Sequence, residues 1–210
     1  MSILQKLIFF IAVILILPSC AAVGSIKYYA VETTKGDVNW DAYQLKHGSS
    51  KPDNVTYSQK DFKLALYINR LEDNIYLIGP CILIPLPIIP LFGLADTKYD
   101  GPVRITFSTY ESPSTYQLTK ANIVVDNKLM SPISMKSFQS ADHKQVNENP
   151  SFPLSFTKNT KTYFMTYDMQ AAKTASFDLE FTIVDESGTV FLEDRISYKH
   201  ETSSYWGCVM

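Results

Sequence analysis

The feature that most constrains this chain is strict alternation towards its carboxyl end. Phe177, Leu179, Phe181 and Ile183 are separated by Asp178, Glu180 and Thr182. A period of two sends successive side chains to opposite faces of a pleated strand, making one face apolar and the other polar. Asp185-Glu186-Ser187-Gly188 then supplies turn residues, with a glycine suited to positive φ. Thr189–Tyr198 returns as the second arm of a hairpin.

The same alternation recurs upstream. Phe62, Leu64, Leu66 and Ile68 interleave with Lys63, Ala65, Tyr67 and Asn69, and Val103, Ile105 and Phe107 with Arg104, Thr106 and Ser108. Gln117–Val125 and Thr160–Tyr167 are further candidate strands, rich in tyrosine, threonine and aliphatic residues. Tyrosine and phenylalanine are abundant, at 13 and 12, against 8 glycines, and aromatic and β-branched residues fit a half-buried pleated surface. About seven strands at this spacing predict an all-β fold, an antiparallel β-sandwich over residues 60–210. An immunoglobulin-like topology is one arrangement that this number of strands allows, although the cysteine and tryptophan pattern of antibody domains is missing. Ser131–Pro153 is polar and proline-marked and reads as a long loop with at most a short helix. Residues 20–59, punctuated by Gly24, Gly36, Gly48 and Pro52, read as a tether with one short strand, Lys27–Thr33.

The amino terminus carries a different signal. Lys6 precedes an unbroken apolar run, Leu7–Leu17, followed by Pro18, Ser19 and Cys20. The run has 11 residues, the size of a secretory h-region, whereas crossing a bilayer core takes about 20. Leu17-Pro18-Ser19-Cys20 resembles the bacterial lipobox, with an aliphatic residue three before the cysteine and a small residue directly before it. The resemblance covers the leader alone, and no family is identified for the remainder. It implies that signal peptidase II removes residues 1–19 and that Cys20 becomes an acylated amino terminus. One acyl chain binds a membrane marginally and two or more hold firmly, at about 0.8 kcal/mol per buried methylene. Ala21 in place of the aspartate that often retains lipoproteins in the inner membrane points to the periplasmic face of the outer membrane. An uncleaved anchor and a plain secretory signal are the competing readings.

If Cys20 carries lipid, Cys81 and Cys208 remain, and in an oxidising compartment they are candidates for a disulfide. Cys81, in strongly apolar surroundings, reads equally well as a small buried hydrophobe. Its segment, Ile75–Ala95, is 21 residues without a charge and holds prolines at 80, 85, 87 and 90. Interior prolines cost a helix about 3 kcal/mol each, which excludes a continuous membrane helix here. The expectation is a buried strand, Ile75–Ile78, followed by an apolar loop packed over an open end of the sandwich. The alternative is a membrane or partner contact made by Ile84, Ile88, Leu91 and Phe92.

No catalytic motif accompanies these features. His47, His143 and His200 stand alone, without a second ligand at metal spacing. Asp178 and Glu180 share a strand face and read as its exposed half rather than as paired catalytic carboxylates. Glu193-Asp194-Arg195 reads as mixed-charge surface. A net charge of −2 gives no basic face for nucleic acid. The sequence therefore predicts a lipid-anchored protein of the cell envelope with a structural or protein-interaction role, an envelope protein as partner and no cofactor. The alternative is a ligand-binding protein or hydrolase with an apolar, tyrosine-lined pocket.

Overall fold

A computed structural model describes residues 20–34, 38–43, 50–59, 62–69, 71–80, 90–111, 116–139, 145–157 and 162–209. The strands run in chain order as β1 (Cys20–Thr34), β2 (Asp41–Tyr43), β3 (Asn54–Gln59), β4 (Phe62–Ile68), β5 (Glu72–Pro80), β6 (Pro90–Lys98), β7 (Pro102–Glu111) and β8 (Gln117–Val125). They continue as β9 (Lys128–Met130), β10 (Ser134–Phe138), β11 (Gln145–Glu148), β12 (Leu154–Ser155), β13 (Thr162–Gln170), β14 (Ser176–Val184) and β15 (Val190–Val209). A 3-10 turn, Ala171–Lys173, lies between β13 and β14.

Two antiparallel sheets result. The first has the order β12-β8-β14-β15-β1-β5-β6, with β9 paired to β8, and the second β11-β10-β13-β7-β4-β3-β2. The core between them is built by the alternating strands. Leu118, Ala121 and Ile123 of β8, Phe177, Leu179, Phe181 and Ile183 of β14, and Leu192, Ile196 and Tyr198 of β15 enter it from the first sheet. Leu64 and Leu66 of β4, Val103, Ile105 and Phe107 of β7, and Tyr163, Met165 and Tyr167 of β13 meet them from the second. Aromatic pairs cross the layer edge to face, as in Phe107 against Phe181 at 5.6 Å between ring centres. The all-β sandwich foreseen from the alternation is present. With eight and seven strands in its sheets among the described residues, it is larger than the four-on-three layout of an immunoglobulin domain.

The turns show why the hairpins close where they do. Gly188 adopts φ +80°, as the turn between β14 and β15 requires. Asp185 organises the same turn, its carboxylate accepting from the backbone N–H groups of Ser187 and Thr189 at 2.9 and 3.0 Å. Asp126 and Asn127, with φ of 49° and 61°, make the tight turn from β8 to β9. Two consecutive positive φ values are the signature of a type I′ hairpin turn, and Asp and Asn tolerate them.

Three segments depart from the sequence reading. Residues 20–59 contain β1, β2 and β3 instead of a tether, and β1 lies inside the first sheet, hydrogen-bonded to β15 and β5. Tyr29 of β1 packs in the main core while Ile26, Tyr28 and Ala30 form a separate buried cluster. A strand buried on both faces loses the polar half of its alternation, so it does not announce itself by period. Ser131–Pro153, read as a loop, contributes the short strands β10 and β11. In β10 Ser137 is the buried residue, so this strand presents no apolar stripe. Finally, Pro90–Ala95 belongs to strand β6 rather than to an irregular loop.

Candidate functional site

Cys20 enters the fold at one end of the first sheet. Cys20 opens β1, opposite Val209 of β15 on one side and Pro80 of β5 on the other. From there the register runs through Ala22 opposite Gly207 and Leu77, to Gly24 opposite Tyr205 and Ile75. β5 and β6 form a hairpin in which Leu77 faces Phe92 across the ladder and Ile78 faces Pro90. The structure therefore gathers Cys20, Cys208, Leu91 and Phe92 onto adjoining strands of one sheet end, although their sequence numbers are far apart. Cys208 stands opposite Ala21, one position along the ladder from Cys20. Residues 1–19, Cys81, Ile84 and Ile88, with His47 and His143, lie outside the described residues.

A hollow of about 390 Å³ lies farther along these strands, at the Lys27 end of β1 and away from Cys20, lined by Lys27, Leu71, Lys98, Ala172, His200, Glu201 and Thr202. His200 is half-buried. Its Nε2 lies 3.0 Å from the Ala171 carbonyl oxygen, and its ring packs on Tyr29 at 4.5 Å between centres. Tyr29 in turn donates its hydroxyl to the carbonyls of Ala171 and Thr174, each at 2.9 Å. Partial burial, with the Lys27 ammonium adding to it, holds the His200 imidazole below its ordinary pKa, against the opposing carbonyl contact. Among the described residues no group of three histidines, cysteines or carboxylates is placed to hold a metal.

The strand-face carboxylates are committed to an ion-pair ladder. Arg195 Nε donates to Asp178 Oδ2 at 2.7 Å and Nη2 donates to the same oxygen. Arg195 Nη1 approaches Glu180 at 3.3 Å, and Lys120 reaches Glu180 at the same distance from the neighbouring strand. Ser197 donates to the other oxygen of Asp178 at 2.5 Å. Arg195 thus bridges the two carboxylates, and Lys120 supplies a second cation to Glu180.

Asp194 was missed by the sequence reading. It is 5% exposed and stands opposite Phe181, on the core side of β15, where the Trp40 indole donates to its Oδ2. The signal was present in the alternation itself, since Leu192, Asp194, Ile196 and Tyr198 share one period-two phase. Two sets stand out among the described tyrosines. Tyr29, Tyr163, Tyr167 and Tyr198 belong to the core. Tyr43, Tyr67 and Tyr110 instead make a row of touching hydroxyls across β2, β4 and β7, Tyr43 donating to Tyr67 at 3.4 Å and Tyr67 bonding to Tyr110. Desolvation is the main cause that pushes Tyr67 and Tyr110 up to about 12.

Comparison with protein-family models, with curated proteins and with solved structures found no match. Among the described residues no helix is long and apolar enough to cross a membrane.

Proposed function

We propose that this chain is a membrane-anchored lipoprotein of the cell envelope, tethered through Cys20 and presenting its β-sandwich to an envelope protein. The observation that carries the reading is the 11-residue apolar run Leu7–Leu17 joined directly to Leu17-Pro18-Ser19-Cys20. The position of Cys20 supports it. The cysteine begins the first strand, so an acyl anchor there has almost no slack between membrane and folded sheet. A short tether holds one end of the sandwich against the bilayer and leaves the opposite end, with Trp40 and the β14–β15 turn, directed away from it.

The ligand-pocket alternative gains no comparable support. The hollow beside His200 and a second of about 310 Å³ around Lys120, Glu180 and Arg195 are lined mainly by charged and polar side chains. Neither contains a tyrosine. Metabolic labelling with palmitate tests the anchored reading. The wild-type chain incorporates label and fractionates with membranes, while Cys20→Ser incorporates none. Equal labelling of the two proteins would contradict the assignment.

A further inference from the structure

The four strands that meet at Cys20 share a property that appears when their sequences are laid on the register. Lys27 of β1 stands opposite Glu72 of β5, and Glu72 opposite Lys98 of β6, while Glu201 of β15 stands opposite Tyr28. A row of charged residues thus crosses the sheet. On the Cys20 side of it, Cys20–Ile26 of β1 and Thr202–Val209 of β15 contain no charge at all. On β5 and β6 the last charges are Asp73 and Asp96, within two residues of the row, and Asn74–Pro80 and Pro90–Ala95 are charge-free.

Four uncharged segments from distant parts of the chain have therefore been aligned in register behind one charged boundary. The apolar leader ends at this same place, because Leu7–Leu17 leads into Cys20. We propose that this charge-free sheet end rests in the bilayer interface, with Lys27, Lys98 and the hollow beside His200 at headgroup level. The inference rests on the anchored reading of Cys20 and extends it from one lipid to a protein surface.

Physical constraints decide how deep the contact goes. From Cys20 to Ile26 the strand advances roughly 20 Å, well short of the roughly 40–45 Å of a full bilayer with its headgroups. Among the described residues β6 has β5 as its strand partner and Thr202–Val209 has β1, so both outer edges of the four strands are without a neighbouring strand. Open sheet edges are not tolerated in hydrocarbon, where the backbone finds no water. The sheet end accordingly lies at the interface, where water and headgroups satisfy its edges, and does not span. The uncharged block also carries Tyr76, Tyr205 and Trp206, residue types that favour that zone.

The chain holds two tryptophans, which supply the test. Trp206 lies in the uncharged block, and Trp40 is bonded to Asp194, twelve residues back along β15 and hence roughly 40 Å away. Full-length protein extracted from membranes would be reconstituted into phosphatidylcholine vesicles, either plain or brominated high on the acyl chains. Trp40→Phe leaves Trp206 as reporter, and Trp206→Phe leaves Trp40. The expected result is loss of Trp206 emission in brominated vesicles and unchanged Trp40 emission. If Trp40→Phe does not fold, the difference between wild type and Trp206→Phe reads the same quantity. Vesicle-bound protein with Trp206 emission equal in both lipids overturns the sheet contact and leaves the anchor standing. Protein that never associates with vesicles overturns both. Unquenched Trp206 in a discrete oligomer assigns the two edges to further copies of the chain and likewise overturns the bilayer contact.

Discussion

The Tyr198 hydroxyl is buried, and among the described residues it has no hydrogen-bond partner. Its ring stacks on Phe177 at 5.4 Å, so the aromatic part is well used while the polar atom is not. Removing a buried unsatisfied hydroxyl relieves a desolvation penalty of about 1–3 kcal/mol. Tyr198→Phe is therefore expected to raise the urea midpoint or leave it unchanged. Tyr29→Phe should lower it by the equivalent of about 1 kcal/mol, because that hydroxyl satisfies two carbonyls. His200 gives the residue scale a pH signature. Its folded pKa lies below the ordinary value of 6.5, so the folded state binds fewer protons than the unfolded chain. Its contribution is intact above about pH 6.5 and is lost as pH falls from there through the folded pKa. Urea midpoints measured across that window should decline towards acid, and His200→Gln should flatten the decline. A wild-type profile as flat as the variant's would refute this.

At the scale of elements, legibility followed burial on one face. β14 buries Phe177, Leu179, Phe181 and Ile183 and exposes the residues between, and the sequence delivered its hairpin with the right turn. The hairpin from β8 to β9 was legible too, had Asp126-Asn127 been weighed as a type I′ turn. β1 was legible only in part, as the short strand Lys27–Thr33, because Tyr29 and Tyr28 are buried on opposite sides and give no apolar–polar alternation to extend it. β6 was hidden by Pro90, which is tolerated as the first residue of an edge strand. Asp194 shows the same limit at the site: a charge in the core phase looks like surface until Trp40 is seen bonded to it. Two substitutions test this account of the elements. Gly188→Ala forces a Cβ into φ +80° and should cost about 1 kcal/mol. Phe181→Ala, which empties the space against Phe107, should cost about 3–5 kcal/mol. Thermal or urea unfolding reads both, and a larger loss from the glycine than from the phenylalanine would contradict the packing described.

The whole molecule joins a sandwich with a conventional core to a sheet end of unusual composition. Most of the core was readable, because alternation is a local property of the sequence. The sheet end was not, because it exists only after β1, β5, β6 and β15 are set side by side, with Cys20 opposite both Pro80 and Val209. The lipobox-like leader is proposed from sequence alone, because a linear address needs no fold. Its consequence for the molecule is positional, since the proposed anchor site, Cys20, falls in the charge-free strands. The most direct measurement of the central claim is mass spectrometry of the amino-terminal peptide from membrane-extracted protein. The account predicts a peptide that begins at Cys20 and carries the added mass of a diacylglyceryl group. A peptide that retains residues 1–19, or that begins with an unmodified Cys20, would contradict it.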